Sequence, residues 1–512
     1  MTNELELATA SHTLRFCATT ARLVSLRSHF AADQELLAAG KDTPVFVVQH
    51  LDAARRYHQL PSTAAVAVVT IRDDGDDRLL EACFTNVGGF ELDVTVVVRA
   101  NRDEPLSRWS LAIENRADLE ITDVQFPFVI APYDLAGAPG SEALVWPLGA
   151  GMLMTDLHPE DLQPDHPHTW QFLPENTDTD HYPGYTFAQF LAYYNDRAGI
   201  YIACEDAEGR IKRFKPVHHG AGVRLGISHV GDWPRAGART LEYDTVLGTF
   251  AGDWTDAATI YRDWSLQQPW ASKPLRERTD VPEWLLDSPP HLMLRIQGEI
   301  DDGPTDAIEE FLPYTRALDP LDRLAQRLDT PLVPVLMGWE RPGPWIYPDC
   351  FPPVGGEEAM REFAERVRSR GWHLGSFCNG TRWVTGHYWS GYDGREYFDD
   401  HDGAASVCRL PAGEPWQEFW DATWRPSNPC CVGAPATKET AIAFVKTLLD
   451  IGFDWIQFFD QNVGAAAFPC YAAGHDHPPM PGLWMTEHLG QLLESFRELA
   501  EHDPRQIVFS VE

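Results

Sequence analysis

Basic residues are scarce in this sequence. Lys and Arg number 41 against 76 Asp and Glu, which gives a formal net charge of −35 at pH 7. A protein that binds nucleic acid or an anionic membrane surface needs a basic patch to pair with phosphate groups. The composition therefore argues against both partners and suits a soluble protein that binds a neutral ligand.

Segments that would carry the chain to or through a membrane are also lacking. Residues 1–7 are acidic and alternate in polarity, without the basic and apolar regions of a signal peptide. No apolar run reaches the ~20 residues that span a bilayer. A cytoplasmic location is therefore expected.

Cysteine and histidine spacing gives little sign of a disulfide framework or a metal site. The nine cysteines include no CxxC pair, and Cys430 and Cys431 are the only adjacent two. An odd number of scattered cysteines fits free thiols in a reducing compartment. Among the 19 histidines, His475 and His477 are spaced like a ligand pair, which is a weak indicator of zinc. We expect no metal and no cofactor.

Several catalytic motifs are absent as well. The sequence contains no GxSxG elbow, no phosphate-binding Walker loop, no GxGxxG after a strand and no HExxH. These absences argue against a serine hydrolase of the elbow type, a nucleotide-binding enzyme and a zinc protease.

Tryptophan, in contrast, is abundant. Most of the 18 tryptophans follow residue 233, many in loops rich in Gly and Pro. Aromatic faces stack on the C–H faces of sugars, but they also fill cores. Both interpretations stay open for each residue, and as a group the loop tryptophans favour a carbohydrate ligand.

The pattern along the chain predicts two structural domains. Short apolar runs with turn residues between them, such as 66–71, 92–98 and 109–115, predict a large antiparallel β-sandwich over residues 1–270. Helical spacing over 253–264, with Asp253 or Thr255 as the N-cap, predicts a helix at its end. A proline-marked linker is expected over 271–290.

Residues 291–512 alternate between strands and helices, which is typical of a parallel (β/α) arrangement. The predicted strands are 291–297, 332–337, 373–377, 455–459 and 507–511, and the predicted helices are 357–370, 438–451 and 483–502. A (β/α)8 barrel needs eight strands. The barrel is therefore expected to be truncated after its fifth strand, either because the sequence is a fragment or because something else completes the barrel. A partner chain or a second copy of this chain is expected at the open edge, since an unpaired edge invites association.

Two carboxylates follow the last two predicted strands. Asp460 and Gln461 come after strand 455–459, and Glu512 comes after strand 507–511. Either acid alone could be a helix cap. Together, at the carboxyl edge where barrel active sites lie, they have the two roles of glycoside hydrolysis, namely nucleophile and proton donor.

Other loop residues combine aromatic faces with groups that hydrogen-bond to sugar hydroxyls. For each one, loop packing is an equally acceptable interpretation. The predicted substrate-binding residues are Trp339, Glu340, Tyr347, Asp349, Asn379, Arg382, Trp383, Gln461, His477 and Trp484.

Four short motifs resemble a family of bacterial glycoside-hydrolase-like proteins of unknown function, which is similar to endo-α-N-acetylgalactosaminidases and α-galactosidases. The motifs are Gly252-Asp253-Trp254, Tyr347-Pro348-Asp349, Phe459-Asp460-Gln461 and Phe509-Ser510-Val511-Glu512. The resemblance implies a galactose-mutarotase-like supersandwich before a catalytic barrel. It also implies Asp460 as nucleophile and Glu512 as general acid/base.

The leading hypothesis is a retaining glycoside hydrolase that acts on an α-linked, galactose-like sugar. The alternative is a non-catalytic carbohydrate-binding protein with an inactive, truncated barrel. A sugar epimerase that works from the sandwich alone is a third idea, for which no catalytic His and Glu are assigned.

Overall fold

The computed structural model describes residues 4–38, 40, 43–135, 140–173, 180–220, 222–300, 303–420, 425–459 and 467–511. The chain divides into two compact units. The first comprises Met1–Ser272 with Pro481–Leu483, and the second comprises Lys273–Met480 with Trp484–Glu512.

The described part of the first unit is built of strands and one α-helix. Its strands are β1 Glu4–Ala8, β2 His12–Cys17, β3 Leu23–Ser28, β4 Gln34–Glu35, β5 Val47–Leu51, β6 Tyr57–Pro61, β7 Val66–Asp74, β8 Asp77–Thr85, β9 Leu92–Asn101, β10 Leu106–Asn115, β11 Glu120–Pro132, β12 Ala143–Trp146, β13 Met152–Thr155, β14 His181–Tyr182, β15 Phe190–Tyr194, β16 Gly199–Cys204, β17 Lys212–His219, β18 Gly222–Val230, β19 Gly237–Thr240 and β20 Thr245–Phe250. Its helix is α1 Trp254–Ser265.

These strands form three antiparallel sheets. The orders are β1-β2-β3-β4, then β13-β12-β15-β16-β20-β10-β9-β8-β7 with β19 also paired to β10, and β14-β17-β18-β11-β5-β6. In β9 and β10 burial alternates residue by residue, so each strand turns one face to the core. One hydrophobic cluster draws on all three sheets through residues such as Leu14, Val96 and Ile227. The predicted antiparallel β-structure is confirmed.

Helix α1 begins where the sequence predicts. The Asp253 carboxylate accepts a hydrogen bond from the Thr255 N–H at 2.8 Å, and the Asp256 carboxylate accepts one from the Asp253 N–H at 2.9 Å. This reciprocal capping satisfies backbone donors that the first helical turn leaves unpaired. Asp253, rather than Thr255, is therefore the N-cap.

The second unit has strands and helices in alternation. Its strands are β21 His291–Arg295, β22 Val333–Met337, β23 Gly375–Phe377, β24 Arg382–Val384, β25 Gly386–His387, β26 Tyr392–Asp393, β27 Glu418–Trp420, β28 Arg425–Pro429, β29 Trp455–Phe459 and β30 Val508–Val511. Its helices are α2 Glu283–Leu286, α3 Leu318–Leu328, α4 Glu357–Arg368, α5 Arg395–Asp400, α6 Pro435–Ile451 and α7 Trp484–Ala500. In the described ranges no helix has both the length and the apolar character needed to cross a membrane.

The five predicted strands form one parallel sheet in the order β21-β22-β23-β29-β30. The structure adds helix α3 and an insert of short strands, β24 to β28, between β23 and α6. Neither was predicted. The insert strands have only two to five residues, too few for their polarity pattern to stand out, and β28 contains two prolines.

Candidate active site

Several candidate residues of the second unit lie just after the carboxyl ends of its parallel strands. Gln297 follows β21, Glu340 follows β22 and Asn379 follows β23. Asn379 also forms an isolated bridge with Phe459, the last residue of β29. Active sites of parallel (β/α) folds lie at this edge.

The two predicted catalytic residues, Asp460 and Glu512, lie outside the described residues, as does Gln461. Their roles stay predictions. The residues just before the two carboxylates are described, and Phe459 of β29 pairs with Val511 of β30.

Among the carboxylates that the structure describes at this edge, Glu340 has the most strongly shifted pKa. It is 1% exposed, and neither carboxylate oxygen has a hydrogen-bond partner of ordinary geometry among the described residues. Burial raises its pKa to about 8, offset only in part by the backbone N–H groups of Glu340 and Trp345 and by the charge of Arg425. The Gln297 amide fixes the backbone here, donating to the Gly338 and Glu340 carbonyl oxygens at 2.8 and 2.6 Å.

Trp345 lies beside this carboxyl group, and two guanidinium groups approach its ring. The Cζ atoms of Arg295 and Arg425 are 5.4 and 4.8 Å from its ring centroid, within cation–π range. Trp345 has a φ of 58°, which is uncommon for a bulky residue, and such conformations concentrate at functional sites.

Sequence reasoning missed Arg295, Trp345 and Arg425, and also His387. Arg425 belongs to β28 of the insert and is fully buried. His387 is buried too, and its pKa is lowered to about 3, first by burial and then by the charge of Arg425. No spacing along the chain signals this cluster, because the insert brings Arg425 back from more than 80 residues beyond Glu340.

Three of the predicted substrate-binding aromatics lie in the core instead. Trp339 is fully buried, and its indole N–H donates to Ser376 Oγ at 3.0 Å. Tyr347 packs edge-on against Phe444, and Trp383 is 2% exposed. The predicted stacking role does not fit these positions, because a buried ring presents no face to a ligand.

Asn379 hydrogen-bonds to the backbone of its own loop and of the loop that contains Trp345. Its amide donates to the Trp345 and Arg382 carbonyl oxygens at 3.1 and 2.9 Å, and its oxygen accepts from the N–H groups of Thr381 and Arg382 at 3.0 Å each. The predicted sugar-binding amide is thus occupied in shaping the turn.

A cavity of about 960 Å³ opens within the insert. It is lined by aromatic and polar side chains, among them Tyr388, Tyr392, Phe398, Asp399, Glu418 and Asn428. Pockets for small ligands have this size and this mixture.

Two predicted residues contact the wall of the cavity. The Tyr392 hydroxyl donates to Asp349 Oδ2 at 3.0 Å. Arg382 Nε donates to Glu418 Oε1 at 2.7 Å. Asp349 and Arg382 therefore support lining residues, and both remain candidates for orienting a ligand.

His477 and Trp484 stack on each other, with ring centroids 3.7 Å apart and planes 5° apart. His477 also belongs to a group of possible metal ligands with Cys431, Cys470 and His475. These two predicted residues are thus brought together, but among the described residues neither lines the cavity.

Comparison with known proteins agrees with this architecture. Residues 239–512, more than half of the chain, match the family described as a domain of unknown function, DUF6259. The chain belongs to this family. The resemblance drawn from the motifs is thereby confirmed.

A curated relative from Bacteroides thetaiotaomicron, named "Putative glycoside hydrolase", is 23% identical over 413 residues, covering 79% of this chain and 54% of the relative. The chain therefore spans about half the length of that relative. The solved structure of the alpha-N-acetylgalactosaminidase NagBb from Bifidobacterium bifidum, in complex with GalNAc, has a TM-score of 0.65 at 13% identity and covers 99% of this chain and 77% of its own. The GH36 alpha-galactosidase AgaA from Geobacillus stearothermophilus is a weaker match, with a TM-score of 0.47 at 11% identity, covering 99% of this chain and 72% of its own. The similarity to NagBb shows that this chain has a fold found in a glycoside hydrolase.

Proposed function

We propose that this protein hydrolyses an α-linked, galactose-like glycoside with Asp460 and Glu512 as its catalytic pair. The supporting observation is the register of β29 and β30, in which Phe459 pairs with Val511. In the sequence, the residue after each of these two is a carboxylate. Neighbouring strands lie ~4.8 Å apart, and a retaining glycosidase needs its two carboxyl groups about 5–5.5 Å apart.

In this mechanism Asp460 attacks the anomeric carbon while the bond to the leaving oxygen breaks and Glu512 gives that oxygen a proton. Water then attacks the anomeric carbon of the glycosyl ester, Glu512 takes a proton from the water, and the Asp460 carboxylate leaves. Glu512 therefore needs a raised pKa in the free protein, and Asp460 needs to stay ionised.

The proposed substrate class is supported by the similarity and by the cavity together. NagBb is named as an alpha-N-acetylgalactosaminidase, which makes α-N-acetylgalactosaminides and α-galactosides the first candidates. The cavity of about 960 Å³ provides both aromatic faces and hydrogen-bonding groups, as a sugar requires.

The direct test is a panel of aryl α- and β-glycosides assayed with the native chain and with Asp460→Asn. We expect turnover of an α-anomer, and a loss of at least about a thousandfold in kcat for the variant, as when a catalytic nucleophile is removed. Asp450→Asn, an exposed carboxylate at the end of α6, is the matched control and should keep full activity.

Rescue of the variants with azide distinguishes the nucleophile from the general acid/base, because the anomeric configuration of the product differs between the two cases. On an activated α-glycoside, Asp460→Gly with azide should yield the β-glycosyl azide, and Glu512→Ala with azide should yield the α-glycosyl azide. If the native chain binds galactose-type sugars in calorimetry but turns over none of the panel, the non-catalytic carbohydrate-binding alternative is the correct one.

A further inference from the structure

Two thiols and two imidazoles converge in the second unit, and we call them the Cys–His cluster. Its members are Cys431, Cys470, His475 and His477, and their candidate ligand atoms all lie within 4.8 Å of one another. Cys431 Sγ is 3.2 Å from His477 Nε2, and Cys470 Sγ is 3.6 Å from His475 Nδ1. We propose that this cluster is a structural zinc site with four protein ligands.

The spacing of the atoms matches that ion. Zinc takes thiolate sulfur at ~2.3 Å and imidazole nitrogen at ~2.0–2.1 Å in a tetrahedral arrangement, which puts a sulfur and a nitrogen about 3.6 Å apart. The two measured sulfur–nitrogen distances, 3.2 and 3.6 Å, lie within a few tenths of an ångström of that value.

Contacts around His477 prepare its Nε2 atom for a metal. Its Nδ1 lies 2.6 Å from the Pro478 carbonyl oxygen, so Nδ1 carries the proton and Nε2 keeps its lone pair toward Cys431. Ligating histidines usually donate their second N–H in this way. The ring is also held flat against Trp484, and a Cβ at Gly433 would lie 2.5 Å from its Cδ2.

Cys470 is surrounded by hydrogen-bond donors. The backbone N–H groups of Arg409 and Ala472 both donate to its Sγ at 3.4 Å. The thiolate is the form that binds metals.

The donor set indicates which metal class fits. Two thiolates and two imidazoles in a compact, largely buried group favour zinc, whereas calcium and magnesium select oxygen ligands. The ligands also join two segments, since Cys431 lies four residues before α6 and the other three lie within 467–480 after β29. Residues 467–480 form no helix or strand, so a bound metal would stabilise the conformation of this segment.

The first test is metal analysis of the full chain, purified without chelators. We expect roughly one zinc per chain, as a four-ligand structural site holds. Cys431→Ala should abolish it, while Cys430→Ala should retain it. The matched pair removes the same buried thiol group from adjacent positions, and only Cys431 belongs to the cluster. A native chain that carries no zinc, and takes none up from a zinc buffer, overturns the proposal.

Cobalt provides a readout that does not depend on activity. After zinc is removed by a chelator, added Co²⁺ should give the near-ultraviolet absorption of thiolate–cobalt bonds, and His475→Ala should weaken it. His475 is only half-buried, so His475→Ala should fold and can test the site even if Cys431→Ala misfolds. If non-reducing mass spectrometry of fresh protein shows a Cys431–Cys470 disulfide, the site is redox-active rather than metal-binding. Metal binding and glycoside hydrolysis are measured in separate assays. The zinc proposal can therefore fail while the proposed hydrolase function holds, and the reverse.

Discussion

Replacing Glu340 with glutamine should change how the stability of the second unit depends on pH. The Glu340 carboxyl group is 1% exposed, and burial raises its pKa from 4.5 to about 8. The folded chain therefore binds this proton more tightly than the unfolded chain does. The stability that comes from the neutral carboxyl group is fully present below about pH 4.5 and is lost as the pH rises toward 8.

The size of the effect follows from those two values. Each pKa unit corresponds to about 1.4 kcal/mol, so the whole difference amounts to about 5 kcal/mol. Between pH 5 and pH 8 the linkage relation gives a loss of about 3.5 kcal/mol in the free energy of unfolding. Glutamine has nearly the same shape and does not titrate, so its variant should not show this loss.

The assay is urea unfolding of both proteins at pH 5, 6.5 and 8, comparing the change in free energy of unfolding rather than its absolute value. Any constant cost of the amide then cancels. Glu365→Gln, at an exposed position on α4, is the matched control and should follow the native chain. If the native and Glu340→Gln curves run parallel across this range, Glu340 is ionised in the folded state and the argument from burial is wrong.

Three further changes test other contacts. Asp165→Asn should cost about 3–5 kcal/mol by leaving buried Arg224 without its partner carboxylate. Burial raises the pKa of Asp165, but the hydrogen bond to His219 and the charge of Arg224 outweigh burial and hold this pKa below its usual value. The contribution of the native carboxylate should therefore fade in acid titrations below about pH 4. Trp339→Ala should cost about 3–5 kcal/mol in thermal or urea unfolding, as expected for a fully buried tryptophan. Tyr392→Phe removes the hydrogen bond to Asp349, so sugar affinity measured by calorimetry should fall by about 1 kcal/mol if the cavity binds the ligand.

The parallel sheet of the second unit could be predicted from the sequence because strands such as β22 and β29 are compact, mostly apolar runs. Residues 455–459, for example, appear unchanged as β29. The antiparallel strands of the first unit could also be predicted where one face is buried, as in β9, because apolar and polar residues alternate there. The alternation of apolar and polar residues depends only on neighbouring positions in the sequence. Strands that show it can therefore be recognised without knowledge of the tertiary structure.

The candidate site was less predictable, because its contacts are long-range. Arg425 reaches Trp345 from an insert whose strands are too short to recognise. The Cys–His cluster combines Cys431 with three residues about 40 positions later, so only its His475–His477 pair shows ligand spacing in the sequence. Composition indicated that aromatics were abundant, but only the structure separates Trp339, in the core, from Tyr388, at the cavity.

The position of Glu340 also limits what it can do in catalysis. A carboxyl group with a pKa of about 8 has the proton that a general acid requires. A group that is 1% exposed, however, has no access to a leaving oxygen in this conformation. Glu340 contacts the loop of Trp345 instead, and the buried charge of Arg425 lies close enough to lower its pKa. We therefore interpret Glu340 as a positioning residue, which leaves proton transfer to the predicted carboxylate pair at the ends of β29 and β30.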